Sequence, residues 1–211
     1  LAGYWLFMAF YPVPGCGAGL FTMECNPASY WDSLLMPGRL YKGIHDPEGL
    51  VSTIPAIATA LLGIFAGNVL RSKEKDKKQK TIYLTAGGIA CLILAVAWGT
   101  FFPINKNLWT SSFVLMAGGW SLLLLALFYF IVDVLEWRKW TFFFIVIGMN
   151  SIVIYLIGDF VDFGFTANAL FGGILSFLPE GAAKFCMAAA VLAVKWCFLY
   201  VLYRNKWFLK V

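Results

Sequence analysis

The chain has 211 residues, of which 61% are hydrophobic and only 13% charged, and its mean hydropathy is +0.79. A soluble domain of this length leaves much of its surface in water and could not cover so much apolar area. Lipid must cover it, which excludes soluble enzymes, nucleic-acid binders and disordered chains.

Residues 1–13 form an apolar run with no basic segment or cleavage site before it, so it does not read as a signal peptide. A span needs roughly 20 residues, so the run reads as the tail of a helix that begins upstream. Residues 14–48 are rich in Gly, Pro and Asn and predict a long polar loop. Complete spans are predicted at 49–70, 81–102, 110–132, 141–158 and 185–203, while 167–178 is apolar but short, as suits an interfacial or re-entrant segment. The fold class is therefore all-α: a polytopic transmembrane helical bundle with five full spans and a partial N-terminal one. Residues 1–211 are expected to form one domain, the C-terminal part of a longer chain.

The basic residues set an orientation. Arg71, Lys73, Lys75, Lys77, Lys78, Lys80, Arg138, Lys139, Arg204, Lys206 and Lys210 fall on one side, against Arg39, Lys42, Lys106 and Lys184 on the other. Basic loops stay cytoplasmic, so 71–80 and the C-terminus are expected inside and 14–48 outside. This distribution accounts for the net charge of +5, although the 71–80 run also suits the phosphates of a nucleotide-like donor or anionic lipid. A bacterial inner membrane is the expected location.

Cys16 and Cys25 share the external loop, where oxidising conditions favour a disulfide. Cys91, Cys186 and Cys197 fall in spans, as small apolar fillers. With a single histidine and no ligand spacing among five cysteines, no metal site is expected.

Candidate chemistry lies in four places. Asp46, Pro47 and Glu48 read as a helix start by N-cap and dipole rules, or as carboxylates at the mouth of a cavity. His45 beside them is either a general base or a bystander. Asn105, Lys106 and Asn107 offer donors to sugar hydroxyls, with Trp109 as a flat apolar face or an interfacial anchor. Asn150 lies within an apolar span and either joins helices or faces a polar cavity. Lys195, inside the last span, is a functional candidate or a snorkelling cation. Gly63 and Gly67 form a small-xxx-small pattern that predicts a close helix contact.

Five strings occur in order: Pro12-Val13-Pro14-Gly15-Cys16, Asp46-Pro47-Glu48-Gly49, Asn105-Lys106-Asn107-Leu108-Trp109, Val132-Asp133-Val134 and Gly148-Met149-Asn150-Ser151. Together they resemble the heparan-α-glucosaminide N-acetyltransferase family from about residue 5 to residue 157. The resemblance implies a membrane acetyltransferase that takes acetyl from cytosolic acetyl-CoA and passes it to an amino sugar across the membrane. It marks Asp46, Glu48, Asn105, Lys106, Asn107, Trp109 and Asn150 as substrate-binding candidates. The family's catalytic histidine lies upstream of these motifs, so no catalytic residue is assigned and these 211 residues alone are expected to be inactive. The implied partners are lipid, an amino sugar, the upstream half of the same protein and, as an option, a second copy. The rival functions are an amino-sugar permease, which a midplane polar site would favour, and a non-catalytic scaffold without a cavity.

Overall fold

The computed structural model describes residues 1–209 except Pro37, Arg39, Lys42 and Ile44. Of the residues used to assign sidedness, Arg39, Lys42 and Lys210 lie outside the described set. The described residues are helical without a named strand, and they form two compact units, Leu1–Glu136 and Trp137–Val211.

The first unit contains α1 (Ala2–Phe10), α2 (Pro27–Leu35), α3 (Thr53–Arg71), α4 (Lys77–Gly99) and α5 (Ser111–Tyr129), which runs on through a π-helical turn at Phe130–Val134. Helix α2 starts where Asn26 accepts the Ser29 N–H and Pro27 takes the first helical position. Helix α4 opens on a capping box between Asp76 and Gln79. Thr110 caps α5. Ile54, Ile57, Leu61, Ile64 and Phe65 of α3 are exposed, the outward apolar face that lipid rather than water would cover.

Helices α4 and α5 cross at Gly88 and Gly119. A Cβ at Gly88 would lie 3.0 Å from the Gly119 carbonyl oxygen, and one at Gly119 would lie 2.9 Å from that of Gly88. Small residues let backbones approach in this way. The contact predicted at Gly63 and Gly67 is not formed among the described residues, where nothing lies within 4 Å of either Cβ position. A small-residue pattern permits close approach, and here it is used at Gly88 and Gly119, with Leu123 and Leu92 packed against the crossing.

Four of the expected spans are continuous helices long and apolar enough to cross a membrane: α3, α4, α5 with its π-helical extension, and α9 (Glu180–Arg204). The chain is an integral membrane protein. The expected span 141–158 is instead two short helices, α6 (Thr141–Gly148) and α7 (Ser151–Ile157), broken at Met149–Asn150. Helix α8 (Phe163–Leu175) is the short apolar segment foreseen near 167–178.

In the second unit, α8 packs against α9, with Phe163 and Phe198 in ring contact. Trp196 stacks on both Phe143 and Tyr200, and its indole N–H donates to the Phe143 carbonyl at 3.1 Å.

Candidate functional site

Cys16 and Cys25 are joined by a disulfide. It closes the first part of the long loop, where Val13 and Gly17 exchange backbone hydrogen bonds around Gly15 at φ 82°, a conformation that glycine adopts without strain. Helix α2 follows and supplies a buried polar face of Asn26, Ser29 and Asp32.

Ser29 begins the connection to the rest of the unit. Its hydroxyl accepts from Asn26 Nδ2 at 2.8 Å and lies 2.6 Å from His45 Nδ1. On its other side, His45 Nε2 is 3.1 Å from the Asn107 carbonyl oxygen. A carbonyl can only accept, so Nε2 carries a hydrogen, and in the neutral ring Nδ1 accepts from the Ser29 hydroxyl. The ring is 1% exposed. Both nitrogens are thus engaged in holding loops together, and His45 is not free to serve as a base.

The turn at 105–110 is pinned from several directions. Asn105 Oδ1 accepts the Asn107 N–H at 2.9 Å, and the Tyr4 hydroxyl donates to the Leu108 carbonyl at 2.7 Å. Trp109 has φ 47°, and its indole donates to Thr59 Oγ1 at 3.2 Å. A bulky residue at positive φ is strained, and strain of this kind persists only where the surroundings over-determine it.

Asp46 does not cap α3, which begins at Thr53. Its Oδ1 accepts the Glu48 N–H at 2.9 Å, and the Gly49 N–H bonds the Asp46 carbonyl at 3.2 Å. The motif is an Asx turn standing ahead of the helix. Asp is favoured both at N-caps and in such turns, and only the backbone distinguishes the two. Beneath this turn lies Asp32, 1% exposed. Its Oδ1 accepts the Val51 N–H at 3.0 Å, while Oδ2 is buried with no hydrogen-bond partner among the described residues. Gly49 sits directly over the carboxyl, and a Cβ there would collide with Oδ2. Burial raises the Asp32 carboxyl above the ordinary carboxylate range; Asp46 adds to this, and the Val51 and Leu50 amides and His45 oppose it.

The two turns together enclose a cavity of about 540 Å³, lined by Tyr41, Asp46, Pro47, Glu48, Lys106, Asn107 and Trp109. Five of the seven candidates from the sequence therefore meet in one place. Carboxylates can hold an ammonium or hydroxyls, Lys106 and Asn107 supply donors, and Trp109 gives an apolar wall. Asn105 does not line the cavity; its side chain shapes the turn. Tyr41 was missed because a lone tyrosine in a polar loop carries no pattern.

Asn150 belongs to the second unit and is 2% exposed. Its Nδ2 donates to the Trp207 carbonyl at 3.0 Å, and its Oδ1 accepts from the Leu209 N–H at 3.4 Å. The amide at the helix break thus holds the segment that turns back after α9. Lys195 is half-buried, with Nζ 5.6 Å from the Phe163 ring centroid. It lines a cavity of about 600 Å³ with Ser151, Tyr155, Asp159 and Trp196.

No protein-family model matches the chain. It is 34% identical over 188 residues to the human heparan-alpha-glucosaminide N-acetyltransferase, covering 74% of this chain and 28% of that protein. Against the mouse protein of the same description it is 30% identical over 248 aligned positions, covering 100% of this chain and 36% of the relative. The chain spans about a third of the length of these curated relatives.

Proposed function

The chain is a homologue of the heparan-alpha-glucosaminide N-acetyltransferases over part of their length, and from that premise we propose that it is part of a transmembrane acetyltransferase acting on an amino sugar. The observation that carries the proposal is the cavity between the Asp46–Gly49 turn and the Asn105–Thr110 turn, where two carboxylates, an ammonium, an amide and an indole converge. Asp46 and Glu48 hold the sugar's ammonium and neighbouring hydroxyls. Lys106 and Asn107 donate to ring hydroxyls, and Trp109 packs against the pyranose. Asn105 acts by shaping the turn, and Asn150 enters this reading by resemblance alone.

Acetyl-CoA, as donor substrate, supplies an activated thioester carbonyl. Its phosphates call for cations, and the connection after α3 offers them: Arg71, Lys73 and Lys78 are exposed, while Lys77 pairs with Glu136 and Lys80 donates to the Leu70 carbonyl. These residues fit the donor. In this reading 71–80 faces the cytoplasm, the sugar cavity faces the opposite side, and the membrane is a bacterial inner membrane. The amine must lose a proton before it attacks. Because His45 is committed to Ser29 and Asn107, we place that base in the remainder of a longer protein.

Glucosamine binding to the purified full-length protein tests the cavity. Glu48→Gln and Trp109→Ala should each weaken it by about tenfold or more, the scale of one lost charge-assisted or stacking contact. Unchanged affinity in both variants would refute the assignment. A second reading, an amino-sugar permease, draws on the broken α6–α7 pair and on Lys195 within α9. Uptake of glucosamine by proteoliposomes without acetyl-CoA would favour it.

A further inference from the structure

We propose that Asp32 is the positioning residue of the acceptor cavity, fixing from below the turn that carries Asp46 and Glu48. The inference rests on the reading of that cavity as the sugar site. Three observations carry it. Asp32 is 1% exposed on the inner face of α2, where an acidic side chain has no packing advantage over an apolar one. One carboxyl oxygen bonds the Val51 N–H at 3.0 Å, just after the turn, and the other has no hydrogen-bond partner among the described residues and abuts Gly49 within it. A side chain at residue 49 would push the turn and the carboxyl apart.

The carboxyl therefore acts as a template. It offers an acceptor for the amide of residue 51 and a surface of fixed shape for residue 49. The Asx turn between Asp46 and Glu48 is built on that footing. The Ser29–His45–Asn107 chain fixes the opposite wall from the same helix, so α2 sets the width of the cavity although none of its residues lines it. Displacement of a substrate-holding group by as little as about 1 Å can cost on the order of 100-fold in rate, which is why the footing matters.

The test uses the full-length protein and three variants. Asp32→Asn keeps the shape and the acceptor; Asp32→Ala removes both; Gly49→Ala forces the turn off its footing from above. Hydrogen–deuterium exchange over residues 46–52 reads the footing directly, whatever the cavity binds. Exchange should quicken in Asp32→Ala and Gly49→Ala and stay close to wild type in Asp32→Asn. In acetyl-transfer assays, the same two variants should raise the glucosamine KM by about tenfold with the acetyl-CoA KM unchanged, and Asp32→Asn should remain within about twofold. Unaltered exchange in Asp32→Ala, or equal loss in Asp32→Asn and Asp32→Ala, would overturn the proposal. Quickened exchange with no effect on glucosamine would uphold the footing and refute the sugar site instead.

Discussion

His45 Nε2 donates to the carbonyl oxygen of Asn107 across 3.1 Å, and this bond ties the segment that carries Asp46 and Glu48 to the turn that carries Lys106 and Trp109. Through Ser29 the same ring is anchored to α2. A histidine beside two carboxylates invites a catalytic role, yet its burial and its two committed nitrogens give it an architectural one.

His45→Ala should therefore act on stability first. It opens a cavity and removes the His45 partner of both the Ser29 hydroxyl, which keeps only its bond from Asn26, and the Asn107 carbonyl, at a cost of about 2–4 kcal/mol. Thermal melting in detergent should show the loss, with activity per folded molecule of the full-length protein retained. Abolished activity at an unchanged melting temperature would restore His45 as a candidate base.

Asp32 gives the fold a pH dependence of definite sign. Its carboxyl is raised above 3.8 first by burial and then by Asp46, against the opposing pull of the Val51 and Leu50 amides and His45. The folded state holds this proton more tightly than the unfolded state does. The contribution is therefore complete below the unfolded value and is lost as pH rises through the raised one. Asp32→Asn, a neutral mimic, should melt above wild type at neutral pH, and the gap should close in acid. A gap independent of pH, or one that widens in acid, would contradict this.

The helices were legible in the sequence wherever lipid imposes a long apolar run. The starts and ends of α3, α4, α5 and α9 lie within a few residues of the expected spans. The break at Asn150 was hidden, because hydropathy counts apolar side chains and is blind to a backbone that leaves the helix between two of them. Asp46 illustrates a second limit: N-caps and Asx turns select the same residue types. Asp46, Glu48, Lys106, Asn107 and Trp109 were visible because they cluster in two short polar motifs, whereas Tyr41 stands alone in its loop and was not. Asp32 was not visible, since one acid among Ser, Tyr and Trp on a short helix reads as a solvated charge.

Cys16 and Cys25 should stay paired under non-reducing conditions, with an intact mass lower by two hydrogens than that of the reduced chain. A bridge closing so short a loop contributes about 2–3 kcal/mol, and Cys16→Ser should lower the melting temperature accordingly. Free alkylation of both cysteines in unreduced protein would contradict the bridge.

In the proposed reading the basic residues between α3 and α4 face the cytoplasm. A cysteine at position 78 should react with an impermeant maleimide only after intact cells are permeabilised. Reaction before permeabilisation would reverse the orientation and place the donor and acceptor on the wrong faces.

The most direct measurement is the initial rate of acetyl-CoA-dependent N-acetylation of glucosamine by the purified full-length protein, wild type beside Glu48→Gln. The wild type should form N-acetylglucosamine, and the variant's rate at limiting glucosamine should be lower by about tenfold or more, as the loss of a charge-assisted contact requires. A wild type that forms no product, or a variant that acetylates as fast as wild type at limiting sugar, would contradict the proposed function.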